Sequence, residues 1–174
     1  MELLKNSRDF TGSLGLTTVR NNWRAFWRLT AYERGIVVEA AAGLLATWIG
    51  LRAFNFRRWK KFMDVFVPSD SRESGFRAMQ PIAAAQSVAR LENAAARHLF
   101  FRSNCLEQSM VLWWLLRRKE MAAELRIGAR KQEGQFEAHA WVEYAGAMVG
   151  DWGVDHLHFS PFDGPITPLE TPKP

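Results

Sequence analysis

The sequence predicts an α+β domain, with helices first and a small antiparallel sheet after them. Three observations carry that prediction. From Thr30 to Arg118 apolar residues recur at three and four, the helical period; from Leu125 they alternate; turn residues separate the segments. At 174 residues, 48% hydrophobic and 24% charged, the chain is one domain's worth and long enough for a real core.

The first 29 residues are irregular apart from a basic–aromatic patch, "RNNWRAFWRL", in which Trp23, Phe26 and Trp27 fall at helical spacing. Thr30 and Glu33 form a capping-box pattern that opens the apolar run "GIVVEAAAGLLATWIGLRAFNF", which ends against "RRWKK". The stretch from Ile36 to Leu51 has sixteen residues and contains Glu39, whereas a membrane span needs about 20 and rarely carries a charge. It reads as a buried or partner-facing helix. The alternative reading is peripheral membrane contact through Arg57, Arg58, Lys60 and Lys61.

"VPSDSRESG" is a linker by its turn residues. After Pro81 an Ala-rich stretch, "IAAAQSVARLENAAARHLF", predicts a second helix. A third begins at Cys105, with Asn104 as its cap and Glu107 at the third helical position to reach back. "ELRIGARK" and "FEAHAWVEY" then alternate as two strands joined by "QEGQ". In the second strand Phe136, Ala138, Ala140, Val142 and Tyr144 share one face, and Glu137, His139, Trp141 and Glu143 share the other. "AMVGDW" follows the Ala145-Gly146 turn as a third strand, and the last fifteen residues hold five of the seven prolines.

The net charge of +5 is uneven: residues 1–60 carry ten Lys/Arg against four Asp/Glu. That basic third fits an acidic peptide, an acidic protein face, lipid headgroups or nucleic acid, and equally a solvated helix face. A single cysteine excludes an intrachain disulfide framework and a thiolate zinc cage, and it fits a reducing compartment. "MELLKNSRDF" lacks the apolar core and small-residue cleavage site of a secretory signal, so a cytoplasmic location is expected.

The lone Cys105 has a chemical reason to stand at a helix start. Unpaired N–H groups and the helix dipole there favour a thiolate, and the same groups point where the oxyanion of a tetrahedral intermediate forms. A thiolate nucleophile needs a base, and the base an orienting acceptor. Of the four histidines, His98 ends a helix and His156 and His158 lie near the tail; His139 is mid-strand, 34 residues after the cysteine. Asp151, 12 residues further, lies in the next strand, where antiparallel pairing can bring it to the far nitrogen of His139. Taken singly, a lone cysteine is more often a small buried hydrophobe, and a strand histidine more often structural. Together, a helix-start Cys followed by a His strand and an Asp strand point to catalysis.

The stretch "CLEQSMVLWWLLRRKEMAAELRIGARKQEGQFEAHAWVEYAGAMVGD" resembles the core of the lasso-peptide biosynthesis B proteins, transglutaminase-like, papain-related cysteine peptidases. The matching pieces are Cys105-Leu106, Ser109, a Leu-rich helix ending in Arg117-Arg118, the "LRIGARK" strand, "AHAWVE" around His139, and an Asp one hairpin later. The resemblance implies Cys105 as nucleophile, His139 as general base and acid, and Asp151 as its orienter. Trp141, Glu143 and Asn104 are candidate substrate-binding residues. On this reading residues 1–70 are a basic, aromatic-rich helical region, 71–160 the peptidase core, and 161–174 a Pro-rich tail. The activity implied is removal of the leader from a ribosomally made precursor peptide, with a partner cyclase closing the ring. Residues 1–60 lack the strands of a leader-gripping winged-helix-like domain, so a separate leader-recognition protein is implied. No metal or cofactor site is identifiable: the family's ATP dependence has no phosphate-cradling Gly-rich loop to attach to here. No nucleic-acid partner is expected.

Two alternatives stay open. One keeps the triad but transfers the acyl group to an amine, as a transglutaminase does; the other is a non-catalytic basic interaction module. The sequence also departs from the family, which often has Gly after the "RR" helix end. Glu120 stands near that point, at a cost of about 1 kcal/mol if a left-handed residue ends the helix. Glu107, close to the thiol, opposes a thiolate if its carboxylate faces Cys105.

Overall fold

The computed structural model describes residues 26–67, 80–132, 135–150 and 159–161. The chain divides into two compact units, residues 1–35 and 36–174. In the first, the capping box is formed as the sequence predicts. The Thr30 hydroxyl accepts from the Glu33 N–H at 3.2 Å, and the Glu33 carboxylate accepts from the Thr30 N–H at 2.8 Å. The basic–aromatic pattern continues in it, with the Arg34 guanidinium 5.1 Å from the Trp27 ring centre. Trp23 and Arg24 lie outside the described residues.

Helix α1 spans Ala31–Ala53, longer than the run from Ile36 to Leu51. By length and composition it could cross a membrane. One stripe of it, Ile36, Ala40, Leu44, Thr47 and Gly50, is buried, while Val38, Leu45 and Ile49 are exposed. Glu39 lies 3.8 Å from Arg118. The apolar run does not continue into "RRWKK" as one element. It stops at Phe54, and Asn55 starts helix α2, Phe56–Val65, by accepting the Arg58 N–H on its side chain at 2.9 Å. A short polar cap is the physical reason for the break. Gly50 faces the Trp59 ring so closely that a β-carbon there would clash with it.

Helix α3, Ile82–His98, turns Ala85, Val88, Ala89, Glu92 and Ala95 inward. Helix α4, Cys105–Arg118, is the centre of the core: Met110, Val111, Leu115 and Leu116 are fully buried. Its C-terminus is a Schellman closure, with Met121 N–H bonded to the Leu116 carbonyl and Glu120 N–H to that of Arg117, each at 3.0 Å. Lys119 is the C-cap and Glu120 takes the left-handed conformation, φ +61°. The left-handed residue that ends the helix thus carries a side chain here.

Four antiparallel strands follow in the order β3-β2-β1-β4: β1 Glu124–Gln132, β2 Gln135–Tyr144, β3 Ala147–Val149 and β4 Ser160–Pro161. The register sets Leu125 opposite Val142, Gly128 opposite His139 and Val142 opposite Val149. Ala145 and Gly146, at φ +54° and +75°, form the two-residue turn from β2 to β3, whose twist favours left-handed residues at both positions. Leu125, Val142, Tyr144 and Val149 join α3 and α4 in one hydrophobic core. The architecture is therefore α+β, helices packed on a small antiparallel sheet, as predicted. The expected linker at "VPSDSRESG" lies almost wholly outside the described residues, as does the proline-rich tail beyond Pro161.

Candidate active site

The site is built from the start of α4 and the middle of β2. Asn104, in extended conformation, caps α4: its side chain accepts from the Glu107 N–H at 2.9 Å, and the Glu107 carboxylate accepts from the Asn104 N–H at 3.0 Å. The next N–H, that of Gln108, bonds the Asn104 carbonyl at 3.1 Å. Among the described residues no acceptor meets the N–H groups of Cys105 and Leu106. The positive end of α4 thus has two donors available beside the half-buried thiol.

Glu107 does not carry an uncompensated charge next to that thiol. Its second oxygen accepts from the Arg52 guanidinium of α1 at 3.0 Å, and the carboxylate is buried. Both oxygens are engaged, one in the cap and one in the ion pair.

His139 stands on the face of β2 that the alternation predicts, with Trp141 and Glu143. Its ring lies parallel to Trp141, centres 6.3 Å apart, and 5.3 Å from that of Phe159. Trp141 is buried and donates its indole N–H to Glu143 at 2.9 Å; the other Glu143 oxygen accepts from Arg126 of β1 at 3.1 Å. A ladder of polar contacts thereby fixes the strand face that holds the imidazole. Of the candidate substrate-binding residues, Trp141 lines the site, Glu143 orients Trp141, and Asn104 uses its side-chain oxygen in the cap.

Cys105 and His139 line the same small cavity, about 50 Å³, with Gln108, Trp141, Gly150 and Glu92 also in its wall. A larger surface hollow on α3, about 260 Å³, is lined by Arg90, Asn93, Ala94 and Arg97 and contains no nucleophile. Gly150 follows β3 at φ +88°, and a β-carbon there would meet the Leu112 side chain of α4 at 2.5 Å. It thus lets the chain pass closely over α4 on the way to Asp151, as no other residue would. Asp151 itself, with His156 and His158, lies outside the described residues. His98 is the exposed last residue of α3. No group of three or more His, Cys, Asp or Glu among the described residues could hold a metal ion.

Two further residues belong to the site. Ser109, one turn along from Cys105, donates its hydroxyl to the Ala140 carbonyl at 2.8 Å. This buried bond ties the helix that starts at Cys105 to the residue after His139, and the signal for it was a hydroxyl on an otherwise apolar helix face. Glu92 is 3% exposed, and its Oε1 has no hydrogen-bond partner among the described residues. Burial pushes its carboxyl up to about 8. Its signal was positional: residue 92 falls three, four and seven places after Ala89, Val88 and Ala85, on the apolar stripe of α3.

A family model described as the transglutaminase-like superfamily matches residues 50–162, which include α2, α3, α4 and all four strands. No curated protein and no solved structure gives a match. That match covers well over half of the chain, and its domain is generally an enzyme fold of the cysteine protease or acyltransferase type, so the chain belongs to the transglutaminase-like superfamily.

Proposed function

We propose that the chain is a cysteine peptidase that removes the leader from a ribosomally made lasso precursor peptide by way of a Cys105 thioester. The observation that carries this reading is the single cavity lined by a helix-start thiol and a strand imidazole. The resemblance of residues 105–151 to lasso B proteins supplies the substrate class.

In this mechanism His139 takes the Cys105 proton and Sγ attacks the carbonyl carbon of the last leader residue. Negative charge develops on the carbonyl oxygen, where the Cys105 and Leu106 N–H groups are available to receive it. His139 then protonates the leaving amine, which becomes the N-terminus of the core peptide. Water cleaves the thioester with His139 as base, and the leader departs as its carboxylic acid. Asp151 orients the imidazole from its other nitrogen. Trp141 walls the groove and keeps bulk water from the thioester.

A separate recognition protein delivers the leader, for which the basic N-terminal third offers a docking charge, and a cyclase consumes the new amine. The setting is the cytoplasm, where a lone thiol stays reduced. The test is mass spectrometry of a precursor co-expressed with the chain and its recognition partner. The leader is released with wild type and not with Cys105→Ala, and Asp151→Asn lowers the rate at least a hundredfold. An intact precursor with wild type refutes the reading. A product carrying an added amine instead of a free acid assigns acyl transfer.

A further inference from the structure

We propose that Glu92 holds the water that cleaves the acyl-enzyme, and so sets hydrolysis above transfer to an amine. This inference rests on the reading of Cys105 as nucleophile. It starts from a carboxyl group in an unfavourable place. Glu92 comes from α3, its neighbours on the buried stripe are Ala85, Val88, Ala89 and Ala95, and its Oε1 is buried with no partner among the described residues. A buried polar atom without a partner costs stability, and alanine fits the neighbouring stripe positions without that cost.

The carboxyl lines the cavity that Cys105 and His139 line, beside Gln108 and Ser109. At about 50 Å³ that cavity has room for a water molecule. A buried water needs two to four polar partners, and in the acyl-enzyme the imidazole and the Glu92 oxygen provide two. Burial pushes the carboxyl up to about 8, which favours its protonated form. A neutral acid both donates and accepts, and it brings no second negative charge beside a thiolate.

The step balances without a further reactant. The water oxygen bonds to the thioester carbonyl carbon and its proton passes to His139. The tetrahedral intermediate collapses with rupture of the C–S bond, whose electron pair stays on Sγ, and the acyl group leaves as the acid. Glu92 is unchanged. Without it, an amine of the same size meets a less ordered competitor.

The test uses p-nitrophenyl acetate, which acylates a reactive thiol without any recognition partner; Cys105 is the chain's one cysteine. Wild type gives a burst of one nitrophenolate per chain and then a steady rate of deacylation. Glu92→Met keeps the burst and deacylates about tenfold more slowly, the factor lost with one ordinary hydrogen bond, so that the acetyl-enzyme accumulates and added methylamine captures more of it. Glu92→Gln, which keeps an oxygen and donors in place, stays within about threefold of wild type. A purely packing role would instead change melting temperature and burst together; Glu92→Leu repeats the measurement should the Met variant not fold. Deacylation of the Met or Leu variant at the wild-type rate overturns the inference and leaves Cys105 as nucleophile. No burst in wild type, or a burst that survives in Cys105→Ala, removes the nucleophile and this inference with it.

Discussion

Replacing Glu92 by Gln changes the pH dependence of stability in a way the structure fixes in sign. The carboxyl ordinarily titrates at 4.5 and here at about 8, because burial disfavours its charged form. Between those values the folded chain holds a proton that the unfolded chain has released. Stability therefore falls as pH rises from about 4.5 to about 8 and levels off above. At roughly 1.4 kcal/mol per pH unit, the whole interval is worth on the order of 5 kcal/mol. Water entering the cavity reduces that figure. Glutamine has nearly the same shape and never ionises, so it removes this slope and no other. The assay is urea denaturation of both proteins at pH 5, 6, 7, 8 and 9. Glu92→Gln gains on wild type by several kcal/mol as pH rises to 8, and the two curves run parallel beyond it. Parallel curves from pH 5 onward would refute the argument, since they require a carboxyl as easily charged folded as unfolded.

Three other outcomes are expected. Glu120→Gly raises stability by about 1 kcal/mol, a rise in melting temperature of a few degrees, because φ +61° no longer carries a side chain. Ser109→Ala removes the 2.8 Å bond to the Ala140 carbonyl, lowers stability by about 1 kcal/mol and slows acylation by p-nitrophenyl acetate as α4 and β2 lose their tie. Arg52→Gln leaves the buried Glu107 carboxylate with one partner and costs about 1–2 kcal/mol, discounted for the exposed guanidinium; a double-mutant cycle with Glu107→Gln isolates the pair.

What could be read from the sequence follows the range of the interactions. Asn104 and Glu107 are three residues apart, and their box was legible because both partners lie within one helical turn. The switch from helical to alternating pattern at Leu125 was legible for the same reason, as was the Ala145-Gly146 turn. The break at Asn55 carried a local signal too, but the apolar run "GLRAFNF" masked a cap of one residue. Glu92 was harder. Its position on the apolar stripe was a signal, but a carboxylate by its type reads as a solvated side, and the packing of α3 against α4 and β3 decides that position 92 turns inward. Ser109 and Arg52 act on residues 31 and 55 positions away, distances at which no local pattern identifies a partner.

The start of α4 resolves a conflict built into any helix-start nucleophile. Four N–H groups there need acceptors, yet an oxyanion needs some of them unused. A capping box satisfies the third helical N–H and the cap's own, and leaves those of Cys105 and Leu106. The box is closed by an acid, and an acid near a thiolate is a like charge that opposes its formation. Arg52 removes the objection by pairing with that acid from α1. The last turns of α1 thus support the candidate site at α4, although they stand more than fifty residues before the thiol. The family match begins at residue 50 and so takes in Arg52 as well as Cys105.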